Sequence, residues 1–513
     1  MKSNRIIVLS MLNIIGGVIF SFSFPKWDFY ALTWVIIIPL IYSMLDKPKH
    51  SFFYGLIFGL ISNYIIFYWV VEVIANYSNI PFIIALLINL LLSAYLALYW
   101  GVWAYFGSYL ISKKTVDSLW ILPFAWVLLE YIRGNILTGF PWCLLGYSQY
   151  KFLSISQIAS ITGIYGISFI LILANCTLSV VLFKKLRGCK WKYGVLAAVI
   201  IIFACIVWGK IRIENYKDAK YNENVGIVQG NIPQDIKWLI VLADEHFNKH
   251  IDMTISSMSA GAKLIIWPES AITVFLLEDK EKYDQIMKIS KRYNAYLLIG
   301  ADYRKLSEKE VKYYNSAFFI NPNDNRIQIY SKIHLVPFGE YVPLKKLLWF
   351  IDKFVEGVSD FSAGTEYTLF KYKQHKISTQ ICYEIIFPNI SREFVKRGSE
   401  LITTITNDAW FGKTSAPYQH FAMAVMRAIE NKRYLVRSAN TGISGIVNPV
   451  GKIIHQSELF TDYIIIDKVS FLNEKTIYNK YGNWLCILSV LIVMIHICYN
   501  KIVNVIINMI KRI

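Results

Sequence analysis

The chain has 513 residues, of which 55% are hydrophobic and 16% aromatic, and a formal net charge of +18. So apolar a composition excludes an ordinary soluble globular protein. Much of the positive charge sits in short loops between apolar stretches and the rest is scattered, which argues against a nucleic-acid partner.

In chain order, residues 5–210 are almost continuously apolar, residues 211–480 read as a globular domain, and residues 484–510 are apolar again. The expected division is a membrane domain over 1–210 with seven transmembrane helices, an extramembrane domain over 211–480, and a last transmembrane helix with a tail over 481–513. The first apolar run is not a cleaved signal peptide, because further runs follow and no small-residue cleavage pattern intervenes. Spans are expected at 5–23, 29–45, 51–74, 81–111, 118–134, 157–183, 193–210 and 484–508, about eight in all. The 81–111 run is over-long and must tilt or project, and 118–134 carries Pro123, Glu130 and Arg133. Basic residues fall in every second connection: Lys2 and Arg5, Lys47 and Lys49, Lys113 and Lys114, then 184–192, then Lys511 and Arg512. By the positive-inside rule both termini are cytoplasmic and residues 211–483 lie on the opposite side.

Within that domain, short β-rich runs are expected at 225–229, 263–267, 295–301, 316–320, 326–331, 376–381, 401–406 and 444–448, and helices at 239–259 and 418–437. Strands interleaved with helices predict a layered α/β domain, and about 250 residues suffice for one core. Residues 321–325 and 357–364 read as turns or loops.

Cys382 is the only cysteine between residues 211 and 480; the other six lie in or beside apolar segments. It follows the apolar run 377–381, and Ile385 onward can begin a helix, so it sits at a strand-to-helix turn with backbone N–H groups nearby. Glu269 ends the strand-like Leu264-Ile265-Ile266-Trp267-Pro268, and Lys332 follows 326–331; strand ends are where α/β sites assemble. A thiolate attacks carbonyl carbon. Glu269 can take the thiol proton and return it to a leaving group. Lys332, whose charge would also lower the thiol pKa, and the Tyr383 N–H can hold an oxyanion. Glu340, in Pro337-Phe338-Gly339-Glu340-Tyr341, can orient the ammonium or shuttle protons. A Cys–His dyad is the competing arrangement, with His334, His375 or His420 as the base. His246 and His250 are spaced as metal ligands on one helix face, but without a third ligand a surface helix is the expectation. The tract Asn407-Asp408-Ala409-Trp410-Phe411-Gly412 offers a pocket wall, and Trp238 an aromatic lip for acyl chains. Glu130 and Arg133 form an i, i+3 pair at membrane depth, a functional flag. Together with Glu72 they are too few polar groups to line a transport path.

Trp267-Pro268-Glu269-Ser270, the run from Lys332 to Tyr341 (Lys-Ile-His-Leu-Val-Pro-Phe-Gly-Glu-Tyr) and Ile381-Cys382-Tyr383-Glu384 resemble the Glu, Lys and Cys motifs of the nitrilase superfamily. Their wording is most similar to that of the apolipoprotein N-acyltransferases. The resemblance extends to Thr138-Gly139-Phe140-Pro141-Trp142, Gly146-Tyr147-Ser148-Gln149, the run from Val228 to Gln234, and Asn440-Thr441-Gly442-Ile443-Ser444. It implies a nitrilase-like αββα sandwich carried by a bundle of eight membrane helices of a bacterial inner membrane and facing the periplasm. The activity implied is transfer of the sn-1 acyl chain of a membrane phospholipid to the α-amine of a lipoprotein's N-terminal S-diacylglyceryl-cysteine. Cys382 then corresponds to the nucleophile, Glu269 to the general base and Lys332 to the oxyanion lysine. Trp238, Glu340, Tyr383 and Glu384 correspond to supporting positions. No metal or organic cofactor is implied. The rival on the same fold is an amidase with water as acceptor.

Overall fold

The computed structural model describes residues 2–78, 80–113, 115–188, 190–217, 222–306, 310–342 and 361–510. The chain forms two compact units, one of Met1–Tyr68, Leu87–Glu214 and Tyr481–Ile513, the other of Trp69–Leu86 and Asn215–Lys480.

The first unit is helical. Among the described residues, four helices are long and apolar enough to cross a bilayer: Asn4–Ser21, Phe82–Lys113, Ile164–Leu182 and Trp191–Glu214. Tyr30–Asp46 and Pro48–Ile66 add a fifth if their 119° bend lies within one span. The eight expected spans are therefore not all matched by helices of spanning length. Proline and glycine account for several of the breaks. Pro48 starts a new turn between two expected spans, and Pro123 opens the 12-residue helix Leu122–Arg133 after a 3-10 segment, Val116–Ile121. Gly163, at φ +68°, separates the short helix Ala159–Thr162 from Ile164–Leu182. The expected 51–74 span stops at Ile66, and the last apolar run forms Trp484–Ile510.

Glu130 and Arg133 are both buried. They bind the following loop rather than forming a simple pair. Glu130 Oε1 accepts from the Leu145 N–H at 2.7 Å. Arg133 donates to the Phe140 carbonyl at 3.1 Å and to that of Trp142. Buried charges require such partners, and here they secure the Phe140-Pro141-Trp142 turn.

The second unit carries twelve strands among its described residues: β1 Asn222–Gln229, β2 Leu264–Ile266, β3 Tyr296–Leu306, β4 Val311–Ile320, β5 Gln328–Ser331, β6 Phe370–Tyr372, β7 His375–Ile381, β8 Leu401–Thr406, β9 Leu435–Ala439, β10 Gly445–Val447, β11 Ile453–Gln456 and β12 Tyr463–Ser470. They make two six-stranded sheets, ordered β12-β1-β2-β3-β4-β5 and β11-β10-β9-β8-β7-β6. In each, three central strands run parallel and the flanking ones antiparallel. The parallel strands are buried throughout β2 and β8, which is why they read as near-continuous apolar or Thr-rich runs.

Helices Ala243–Ser259 and Lys280–Tyr293 pack Phe247, Ile251, Met258 and Ile286 on Val228, Ile265, Leu297 and Phe318 of the first sheet. On its other face lies the second sheet: Ser438 Oγ donates to the Val228 carbonyl at 3.0 Å, and the rings of Phe319 and Phe370 stack at 5.1 Å. Helices Pro388–Lys396 and Ala416–Asn431 pack on the second sheet. This is the αββα layering the resemblance implies.

Two expectations differ here. The helix read at 418–437 ends at Asn431, where Lys432 turns left-handed at φ 51°, and residues 435–439 become the central strand β9. Pairing with β8 and β10 overrides the helical reading of Tyr434-Leu435-Val436. Helices Lys280–Tyr293 and Pro388–Lys396, and strands β6, β11 and β12, are additional. Of the expected loop at 357–364, residues 357–360 lie outside the described residues.

The second unit also includes the short helix Trp69–Tyr77. Its Trp69 Nε1 donates to Gln419 Oε1 at 3.1 Å, and the Trp69 and Tyr77 rings meet Phe411 and Trp410 edge-on, each at 5.1 Å.

Candidate active site

The ends of β2, β5, β7 and β8 converge, two strands from each sheet, and each delivers one polar group. Glu269 is the third residue after β2 and is 6% exposed. Its Oε1 accepts from Asn315 Nδ2 at 2.7 Å, and its Oε2 from the Asn407 backbone N–H at 2.7 Å. The turn carrying it lies directly on β3. A Cβ added to Gly300 would stand 2.3 Å from the Pro268 carbonyl oxygen and 2.7 Å from Glu269 Cα, so only glycine allows this approach.

Lys332, 1% exposed, follows β5. Its Nζ lies 2.9 Å from Glu340 Oε1 and 3.7 Å from Glu269 Oε1. Burial alone would lower its pKa, but the two carboxylates outweigh burial and push it well up, so the ammonium is permanent. Glu340 in turn accepts from Asn315 Nδ2 at 2.9 Å and from the Val336 N–H at 2.8 Å. Asn315 thus bridges both carboxylates around one ammonium.

Cys382 follows β7 at φ 50° and starts the 3-10 turn Cys382–Ile386. A non-glycine residue held left-handed at a strand end is strained backbone of the kind found at functional turns. Burial, then the Glu269 charge, push the thiol pKa up, and Lys332 opposes them only in part. Lys332 thus lowers the thiol pKa as expected, but burial and Glu269 outweigh it, so the net shift is upward and the thiol requires a base.

Glu384, buried two residues on, ties this turn to the lysine loop. Oε1 accepts from Tyr330 Oη (2.7 Å), Ile333 N–H (2.7 Å) and His334 N–H (3.2 Å), and Oε2 from Ile381 N–H at 2.7 Å. The Tyr383 ring is buried against Phe387, edge-on at 5.1 Å.

Past β8, Asn407 Nδ2 donates to Gln234 Oε1 at 2.8 Å, and its Oδ1 accepts from Asn440 Nδ2 at 3.0 Å. Asp408 is fully buried between Arg437 Nη2 (2.7 Å), Thr406 Oγ1 (2.8 Å) and His420 Nδ1 (3.0 Å). Burial opposes its ionisation, but Arg437 and His420 prevail and hold its pKa well below the usual range. Trp410 and Phe411 pack on Tyr77 and Trp69. Trp238 is 42% exposed and opens the apolar run Trp238-Leu239-Ile240-Val241, whose last two residues are 86% and 87% exposed.

The structure thus gathers Glu269, Lys332, Glu340, Cys382, Tyr383, Glu384, Asn407 and Asp408 at one end of the two sheets. Trp238 joins them through its neighbour Lys237, whose buried Nζ donates to the Glu269 carbonyl at 3.1 Å. The candidate histidines are each engaged by another group. His375 pairs with Glu400 at 2.7 Å. The His334 ring packs on that of Phe387, tilted by 40° with centroids 3.9 Å apart. His420 Nε2 meets the Cys382 carbonyl oxygen, at 3.1 Å, so its contact is with the main chain. His246 and His250 are buried, contrary to the surface helix expected, because they share the inward face with Phe247 and Ile251. Among the described residues no group of three His, Cys, Asp or Glu could hold a metal.

Sequence reasoning missed Asn315, Lys237, Gln234 and Arg437. The available signal was a polar side chain inside an apolar run, as in Tyr314-Asn315-Ser316-Ala317-Phe318-Phe319.

Comparison with known proteins fits both units. The apolipoprotein N-acyltransferase N-terminal domain matches residues 16–177, and the carbon-nitrogen hydrolase family matches residues 224–472. A protein of Geobacter metallireducens called apolipoprotein N-acyltransferase is 36% identical over 94% of each chain. Namesakes in Methylococcus capsulatus and Rickettsia prowazekii are 31% identical over 92% of each chain, and 37% identical over 72% of this chain and 74% of theirs. The solved structure of an amidase from Nesterenkonia sp. aligns over 51% of this chain and 94% of its own, at 15% identity and a TM-score of 0.38. Relatedness at this level along nearly the whole length places the chain in the apolipoprotein N-acyltransferase family.

Proposed function

We propose that the protein transfers the sn-1 acyl chain of a membrane phospholipid, through a thioester on Cys382, to the α-amine of an N-terminal S-diacylglyceryl-cysteine. The observation that carries this reading is the placement of the Glu269 carboxylate and the Lys332 ammonium around the Cys382 thiol at the end of both sheets.

In the first half-reaction Glu269 takes the thiol proton as sulfur bonds to the ester carbonyl carbon. The carbonyl electron pair moves to oxygen and is held by Lys332 and the Tyr383 N–H. Collapse breaks the bond between the acyl carbon and the glycerol oxygen, and the leaving alkoxide takes the proton from Glu269, releasing a lysophospholipid. In the second half the neutral amine attacks the thioester and gives its proton to Glu269. The C–S bond breaks, and sulfur recovers that proton, leaving an amide. Glu340 and Asn315 hold Lys332 and Glu269 in register. Glu384 supports the nucleophile turn, and Trp238, Trp410 and Phe411 supply aromatic surface for acyl chains.

The domains run over 1–210, 211–480 and 481–513. Eight crossings of a bacterial inner membrane, with both termini cytoplasmic, put the catalytic domain on the periplasmic side. The alternation of basic and uncharged loops supports this topology, and both lipid-anchored substrates then arrive by lateral diffusion. No cofactor takes part in this scheme.

The test is intact mass spectrometry of the protein after incubation with a diacyl phospholipid, beside Cys382→Ser. A fatty-acyl increment, absent in the variant and removed by neutral hydroxylamine or by a diacylglyceryl lipopeptide, is expected. No increment would refute the thioester route, and release of acyl chains as free fatty acid alone would return the chain to a hydrolase.

A further inference from the structure

Cys382 and Tyr383 share one peptide unit, which is planar and trans, so the Cys382 carbonyl and the Tyr383 N–H point in opposite directions. Whatever holds the carbonyl therefore aims the N–H. That holder is His420, whose Nε2 lies 3.1 Å from the Cys382 oxygen. A carbonyl oxygen only accepts, so Nε2 carries a proton.

The other side of the ring agrees with this assignment. Nδ1 lies 3.0 Å from both Asp408 Oδ1 and Arg437 Nη2. A neutral ring accepts there from Arg437, and a charged ring donates to Asp408; in both cases Nε2 remains the donor. Thr406 Oγ1 and Arg437 fix Asp408, and Asp408, His420 and Arg437 are fully buried. The imidazole is therefore held from one side and delivers its proton on the other, to the main chain of a residue at φ 50°.

We infer that His420 is a positioning residue for the oxyanion site: through the shared peptide it orients and polarises the Tyr383 N–H that receives the developing negative charge. A hydrogen bond to the carbonyl end of an amide strengthens the donor at its nitrogen end. The inference rests on the thioester reading above, and it gives the Asp408–His420 pair a role other than activating the thiol.

Two reactions of Cys382 separate these roles. Acylation by an ester develops an oxyanion. Alkylation by iodoacetamide is a displacement at saturated carbon and develops none, yet it needs the same thiolate. Wild type, H420N, H420Q and Cys382→Ser would be compared in two ways. One is single-turnover thioester formation from dioleoyl phosphatidylethanolamine in mixed micelles, and the other is iodoacetamide labelling of Cys382 read by peptide mapping. Asparagine keeps a polar group toward Asp408 and Arg437 but is too short to reach the Cys382 carbonyl. Glutamine places an amide N–H near the Nε2 position.

The expected result is acylation slowed about tenfold or more in H420N, part of the loss seen when an oxyanion donor is removed outright. H420Q should recover much of the rate, and labelling should change less than twofold in both. Parallel loss of acylation and labelling would overturn the inference in favour of thiol activation or a distorted turn. Unchanged acylation in H420N would overturn it as well. A wild type that labels but forms no thioester would refute the transferase reading itself, and the inference with it.

Discussion

Replacing Glu384 by glutamine tests how the nucleophile turn and the lysine loop are held together. Glutamine keeps the shape but offers one acceptor oxygen to four donors. In its cheaper orientation the amide nitrogen faces the Ile381 N–H, losing that bond and leaving three others without charge assistance. A stranded buried donor costs about 1–3 kcal/mol. Lost charge assistance adds no further net cost, because burial pushes the Glu384 carboxyl up to about 7 even with these bonds in place. A raised carboxyl pKa means that the folded state keeps its proton to higher pH than the unfolded chain. The carboxylate therefore costs stability progressively as pH rises toward 7, reaching about 3 kcal/mol above it. Glutamine escapes that cost, so E384Q should be destabilised by about 1–3 kcal/mol at pH 5, where wild type scarcely bears it, and by less as pH rises. Alanine strands all four donors, at about 1–3 kcal/mol each, and should lose more than twice as much. A domain of this size shifts its midpoint by about 2–4 °C per kcal/mol. Tryptophan-fluorescence melts in matched detergent at pH 5 should thus fall by about 5 °C for glutamine and 10 °C or more for alanine. A glutamine midpoint at or below that of alanine would refute the argument that four donors need this acceptor.

Gly300→Ala should slow thioester formation far more than it lowers the melting midpoint, because the added methyl strikes the backbone of the Glu269 turn while overpacking itself costs only about 1–3 kcal/mol; a full acylation rate in a folded G300A protein would contradict the contact. Burial lowers the Lys237 pKa to about 8, with the Glu269 and Asp302 charges opposing. Its folded pKa lies below its unfolded one, so wild type should gain stability relative to Lys237→Met as pH rises from about 8 to 10.5, by up to roughly 3 kcal/mol. Unfolding curves with equal pH slopes for the two proteins would count against a buried ammonium at this position. Asn315→Leu, close in size but without the amide, should reduce acylation while leaving iodoacetamide labelling of Cys382 measurable; an unimpaired rate would remove Asn315 from the site.

The groups at strand ends were legible in the sequence because each follows an apolar run. Leu264-Ile265-Ile266 announces Glu269, and the run before Cys382 announces the nucleophile turn. Groups whose roles depend on pairing were not legible. Asn315 lies inside β4, and nothing local says that its amide meets two carboxylates from other loops. Arg437 read as the end of a helix, because its burial beside Asp408 exists only once β9 is laid between β8 and β10. His420 was visible as a nearby base, but only the geometry turns it from the sulfur to the carbonyl. In the membrane part, hydropathy located the apolar runs well. It could not foresee that Pro123 and Gly163 divide two of them into shorter pieces, since mean hydropathy is blind to a missing N–H or a left-handed φ.

The two-sheet plan has a consequence for how the enzyme comes into being. Glu269 and Lys332 belong to one sheet and Cys382 and Asn407 to the other, while β12, the last strand, returns to pair along the whole of β1, the first. During synthesis the ribosome must therefore have delivered some 250 residues before the first sheet can close. Until then the backbone groups along that side of β1 have no strand to pair with. A chain truncated before β12 therefore holds every residue of the site yet leaves a sheet edge open, which makes the closing strand a guard against edge-to-edge association.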